Sequence, residues 1–212
     1  ELGAFQRGPV SKRQPVEAVR EALAAGQRAF GENYLKEAKT KIETLAEPAA
    51  VWHFIGTVQS NKTAEITALF DWVHTVDREK LARRLSEQRP AGRPPLNVCL
   101  QVNTSGEESK GGIAPSALPD LIEAVAAQRA ARLIGEARKK KRTVGTFPTH
   151  CEPHNEADGY AIQSALNGWL AQTGSGSLVG YKVGCTTPVM QDIVGVSNPA
   201  YGGIMTTGTY RG

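Results

Sequence analysis

"RAFGENYLKEAKTKIETLAEPAAVWHFIGTVQSNK", residues 28–62, decides the fold. "RAFGENY" (28–34) and "VWHFIG" (51–56) are short apolar runs that read as strands. Between them Leu35, Ala38, Ile42 and Leu45 recur at helical spacing over residues 35–46. Strand, helix and strand in this span form a βαβ unit, the building block of a parallel sheet. The pattern extends outward. "DWVHTVD" (71–77) and "LNVCLQVN" (96–103) read as further strands. Helical spacing recurs at 60–70 (Ala64, Ile66, Leu69), 78–88 (Leu81, Leu85) and 116–127 (Leu118, Leu121, Ile122, Val125). Upstream, Pro15 suits a first helical turn, Val16, Val19 and Leu23 follow at helical spacing, and Gly26 can end the helix. A short run before Lys12 supplies one more strand, although Pro9 cannot donate to a central ladder. The expected class is α/β: five β/α units of an incomplete parallel TIM-type barrel, followed by an α+β fragment.

Polar residues follow each strand: Lys12 the first, Glu32 and Asn33 the second, Gln59, Ser60 and Asn61 the third. Asp77 ends the fourth and Asn103 the fifth. All then share the C-terminal face, where parallel α/β folds place their chemistry. Lys12 has no carboxylate near it in sequence. A lysine there can form a Schiff base with a carbonyl cofactor, or simply be a solvated loop residue.

The chain has 212 residues, 40% hydrophobic and 22% charged, an ordinary globular composition. Acidic and basic residues balance over 1–128, so the net charge of +4 lies in 129–212, partly in "RKKKR" (138–142). Such a run binds nucleic acid or anionic lipid, or is a solvated helix end. No aromatic residue interleaves with it, so no nucleic-acid partner is expected. No apolar run is long enough to span a bilayer, so no membrane partner is expected. Three dispersed cysteines, Cys99, Cys151 and Cys185, point to a reducing compartment, the cytoplasm. A start at Glu1 and an end in "TTGTYRG" read as a piece of something longer.

Past residue 128 the cadence changes. "RAARLIGEARKKKR" reads as a basic helix, residues 156–172 as an amphipathic helix, "LVGYKVGC" (178–185) as a strand and "PVMQDIVGV" as a short helix. The expected domains are 1–128 and 129–212. In "HCEPH" (150–154) two histidines stand four apart, but Pro153 opposes a helix and no second ligand cluster exists. A loop is expected there, with no metal site.

The first segment resembles the pyridoxal phosphate homeostasis proteins, barrels similar to the N-terminal domain of alanine racemase. "VSKRQPVEAVREALAAGQRAFGENYLKEA", "WHFIGTVQSNK" and "LNVCLQVNTSGEESKGGI" carry the likeness, from about Val10 to Gln128. The resemblance implies pyridoxal 5'-phosphate (PLP) held as an aldimine on Lys12, the lysine of the "SK" motif. It implies Asn33 and His53 near the cofactor ring, and Gln59, Ser60 and Asn61 on the pocket rim. Without it, His53 reads as a structural strand histidine and Asn33 as a turn former. The family's last strands carry the phosphate-holding loops, which find no equivalent after residue 128, so impaired binding is expected.

The second segment, about Ala130 to Ile204, resembles the N-terminal part of 2-keto-4-pentenoate hydratase, of the fumarylacetoacetate hydrolase superfamily. "GYKVG" is its best piece. That likeness implies metal-assisted hydration of a 2-oxo-enoate, with Lys182 catalytic and Mg²⁺ or Mn²⁺ as cofactor. The carboxylate ligands of that family lie outside this chain. Lys182 otherwise reads as an outward-facing strand residue. Three functions follow: PLP binding and homeostasis, a hydratase-like lyase, or a non-functional composite fragment.

Overall fold

The computed structural model describes residues 10–195 and 197–208. The chain parts into two compact units, Glu1–Leu121 and Ile122–Gly212.

In the first unit, helix α1 (Val16–Ala24) starts at Pro15 and buries Val19 and Leu23, four residues apart. Gly26, at φ +95°, turns the chain into strand β1 (Ala29–Glu32), buried throughout. Helix α2 (Leu35–Leu45) leads to β2 (Val51–Phe54). A 3-10 turn over Ser60–Lys62 opens α3 (Thr63–Leu69) before β3 (Trp72–Val76). Helix α4 (Glu79–Glu87) precedes β4 (Asn97–Leu100). The sheet is parallel, in the order β1-β2-β3-β4. The strand expected before Lys12 lies mostly outside the described residues. Its last residue, Val10, makes a parallel bridge to Gly31 beside β1.

Strand alternation sorts the side chains. Phe30 pairs in register with Trp52, and Phe54 with Val73, so these four share one face. All four are buried, together with Ile66, Phe70, Leu81 and Leu85 of the helices and loops. Phe54 meets Phe70 edge-on at 5.1 Å. Each such aromatic contributes roughly 1.5–3 kcal/mol by leaving water. Gly31, His53 and Trp72 are in register on the opposite face. Arg89, buried, donates to the carbonyls of Thr67 and Phe70 and so closes the C-terminal end of α3.

Helix α5 (Leu118–Lys139) runs across the division between the units. The sequence pattern suggested two helical stretches here, and the structure makes them one, because nothing between 128 and 130 breaks a helix. The second unit continues with α6 (Glu156–Gln172), β5 (Leu178–Gly184), α7 (Pro188–Val194) and β6 (Ala200–Met205). β5 and β6 pair antiparallel, so this part is α+β. The sequence showed no strand at β6, since glycines at 202 and 203 carry no strand preference. Ala130, Ala131, Cys151, Leu166 and Trp169 form the core of this unit. At Gly135 a Cβ would lie 2.4 Å from the Trp169 ring, so the helix needs glycine there. The basic run 138–142 is exposed at the end of α5, where cations suit the helix dipole. Among the described residues no helix is long and apolar enough to cross a membrane.

Candidate functional site

Val10 bridges Gly31, and Gly31 is in register with His53, so three parallel chain segments lie side by side. Ser11 N–H donates to Gly31 O at 2.9 Å. Lys12 follows, exposed, in the turn leading to α1. Its amine enters none of the hydrogen bonds or ion pairs among the described residues.

The flanks of Lys12 are held tightly. Ser11 is buried, and its hydroxyl donates to Glu32 Oε1 at 2.5 Å. Arg13 N–H donates to Glu37 Oε1 at 2.5 Å, with Arg13 in the left-handed region at φ +60°. Both carboxylates converge on Lys41. Its Nζ lies 2.8 Å from Glu32 Oε1, 2.7 Å from Glu37 Oε1 and 2.6 Å from Ser11 O. Three acceptors thus match the three ammonium protons. Glu32 is 0% exposed and Lys41 4%. The Lys41 hydrogen bond holds the Glu37 carboxyl below its usual pKa, against burial, with the Arg13 N–H assisting.

Sequence reasoning missed this network. It placed Glu32 among the polar residues that follow a strand on the C-terminal face. The structure makes Glu32 the last residue of β1, in register with Phe54 and on the covered face. The buried face of α2 is likewise Ala38 and Lys41 rather than the whole stripe Leu35, Ala38, Ile42 and Leu45. The available signal was a lysine three residues after Ala38 on an apolar stripe, with a glutamate four residues before it.

Asn33 and Gly56 meet at the ends of β1 and β2. A Cβ on Gly56 would lie 2.2 Å from Asn33 O, so only glycine lets the two backbones approach. Thr75 Oγ1 donates to Gly56 O at 2.6 Å and fixes this corner from β3. Asn33 Oδ1 is buried with no hydrogen-bond partner. Asn33 and Gln59 line a cleft of about 500 Å³, with Tyr34, Lys36, Thr57 and Lys62. Lys12, His53, Ser60 and Asn61 are not among its lining residues. Ser60 instead offers its carbonyl to Thr63 Oγ1 and Arg84 Nε, both at 2.9 Å, and Asn61 is exposed.

His53 stacks on Trp72, with centroids 5.5 Å apart and planes 8° from parallel. Its Nδ1 lies 2.9 Å from His74 Nε2. Burial, then the neighbouring His74, lowers the His53 pKa to about 4, with Asp71 opposing. Burial lowers His74 as well. The imidazole is therefore neutral at physiological pH. With a folded pKa below the unfolded value, the unfolded chain takes up the proton first. Stability should fall as pH drops from about 6.5 towards about 4 and be flat in this respect above that window. Titration of the His53 ring by NMR checks this. A midpoint near 6.5 would contradict it.

Lys182 lies in the second unit, exposed on β5 and paired in register with Gly202. The "HCEPH" stretch forms a short 3-10 turn and a loop, with Cys151 buried. Among the described residues no group of three or more His, Cys, Asp or Glu side chains is placed to hold a metal ion.

Comparison with known proteins bears on the first part of the chain. The family model described as "Alanine racemase, N-terminal domain" matches residues 11–137. The pyridoxal phosphate homeostasis protein of Pseudomonas aeruginosa is 66% identical over 116 residues, covering 55% of this chain and 50% of that protein. Its namesake in Vibrio cholerae is 59% identical over 120 residues, covering 55% of this chain and 51% of that protein. The chain thus spans about half the length of the curated relatives it matches. The structure of PipY from Synechococcus elongatus with PLP bound is 36% identical and covers 62% of this chain and 70% of that one, with a TM-score of 0.49. The comparisons do not support the hydratase resemblance of the second segment. The parallel sheet, its helices and the matched residues 11–137 together place the chain in the alanine racemase N-terminal domain family.

Proposed function

We propose that this chain binds pyridoxal 5'-phosphate, with Lys12 as the attachment point, and serves PLP homeostasis as its relatives' names describe. The observation that supports it most is the contrast between two lysines. Lys41 is consumed by three acceptors, whereas the amine of Lys12 has no partner among the described residues and stands between two fixed neighbours. A second fit is the orphaned, buried Oδ1 of Asn33, which lacks the donor that a polar ligand can bring. When bound, PLP supplies an aldehyde for an amine and a phosphate for N–H donors. In this reading Asn33 and a neutral His53 orient the ring, Gln59 rims the cleft beside Asn33, and Ser60 and Asn61 follow on the adjoining turn, outside the cleft's lining. Lys12 needs no adjacent acid, because its partner is a carbonyl.

An ordinary lysine is neutral in only about one part in two to three thousand at pH 7, so attachment there needs selectivity rather than mere exposure. Incubation with PLP, borohydride reduction and peptide mapping tests it. Label on Lys12 should exceed that on Lys36, Lys62 and Lys110, and Lys12→Ala should remove most of it. Label spread evenly over the lysines would overturn the assignment.

A further inference from the structure

We infer that Lys41 is a positioning residue for Lys12: it clamps the backbone on both sides of Lys12 and occupies Glu32 and Glu37 so that neither carboxylate captures the Lys12 amine. This rests on the proposed attachment at Lys12 and names the device that keeps that amine available.

The geometry carries it. Lys41 Nζ reaches Ser11 O directly at 2.6 Å. It reaches Arg13 through Glu37, whose Oε1 accepts from both Lys41 Nζ and Arg13 N–H. A third link runs through Glu32, whose Oε1 accepts from Lys41 Nζ and Ser11 Oγ. Residues 11 and 13 are therefore tied to one ammonium, and the residue between them is the exposed lysine. Among the described residues, the charged groups bonded into this turn are Arg13 on the turn itself, Glu32 from β1, and Glu37 and Lys41 from α2. Two carboxylates within hydrogen-bond reach of the flanking residues would make a ready partner for Lys12. They have Lys41 instead. Glu32 Oε2 is buried without a partner, so Glu32 relies on Oε1, where Lys41 is its one cationic partner among the described residues. Removal of Lys41 would leave Lys12, the lysine adjoining Ser11, to fill that role.

The test uses the full chain without added cofactor. Trace acetic anhydride labelling across pH, read by peptide mapping, reports the neutral fraction of the Lys12 amine. In Lys41→Met the midpoint for Lys12 should move up, because two uncompensated carboxylates now favour its charged form. Each unit of that shift lowers labelling at a fixed pH about tenfold. In Glu37→Gln the midpoint should move down, because one carboxylate charge is removed while an amide oxygen remains for Arg13 N–H. Opposite displacements support the inference. A purely structural role would loosen the turn in both variants and displace both profiles the same way or not at all, which would overturn it. Should Lys41→Met fail to fold, Glu37→Gln decides alone: an unmoved or raised midpoint overturns the inference. The two readings separate cleanly. Absence of PLP on wild-type Lys12 overturns the proposed function while leaving displaced anhydride profiles intact. Unmoved profiles with PLP on Lys12 overturn only the role of Lys41.

Discussion

Lys41→Met should destabilise the first unit by about 3–5 kcal/mol, the usual loss when one partner of a buried ion pair is removed. Methionine fills a similar volume, so the loss is electrostatic rather than a cavity. Glu32, at 0% exposure, would lose its buried ammonium partner, and Lys12, coming from an exposed turn, would replace it only in part. Small domains hold only about 5–15 kcal/mol in all, so a loss of this size moves a urea midpoint plainly. The double variant Glu32→Gln, Lys41→Met should recover a large part, since the buried charge goes with its counter-ion. Equal destabilisation in single and double variants would show that packing, not the uncompensated carboxylate, sets the cost.

Gly56→Ala should be the most damaging single methyl in the first unit. The new Cβ would meet Asn33 O at 2.2 Å, Asn33 C at 3.0 Å and Asn33 Cα at 3.1 Å. These are backbone atoms, so no rotamer change relieves the contact. Overpacking costs about 1–3 kcal/mol where side chains can give way, and this site should lie at or above the top of that range. Asn33 would be displaced as well, so under the proposed function the Gly56→Ala protein should bind PLP more weakly even at temperatures where it stays folded. Gly180→Ala is the matched control, because a methyl there would find nothing within 4 Å and its φ is not positive. Comparable melting temperatures for the two alanine variants would refute the steric account.

The β/α cadence was legible because each strand here is a short apolar run and each helix repeats every three to four residues. "VWHFIG" and "DWVHTVD" became β2 and β3 with little trimming at their ends. Lys12, Asn33 and His53 were reached by a family likeness, and the strand register sets their segments side by side. Glu32 and Lys41 were not legible, because local sequence codes charged residues as solvent-facing. Their burial depends on a partner nine positions away across a turn and on Ser11 twenty-one positions away. The antiparallel partner of β5 was hidden for a different reason. β6 is held by pairing with β5 across the α7 connection, with Gly202 and Gly203 opposite Lys182 and Tyr181, and has little preference of its own.

The His53–Trp72 stack gives the protein an optical gauge of its own sheet. Indole emission is quenched by an imidazolium ring in contact and far less by a neutral one. With ring planes 8° from parallel, Trp72 sits where it senses the charge of His53 directly. Because that ring resists protonation until about pH 4, emission from Trp72 should stay bright through the acid range that dims an ordinary histidine–tryptophan pair. With Trp52 and Trp169 replaced by phenylalanine, dimming above that range would signal that the ring beside Trp72 takes up its proton earlier than the folded stack allows.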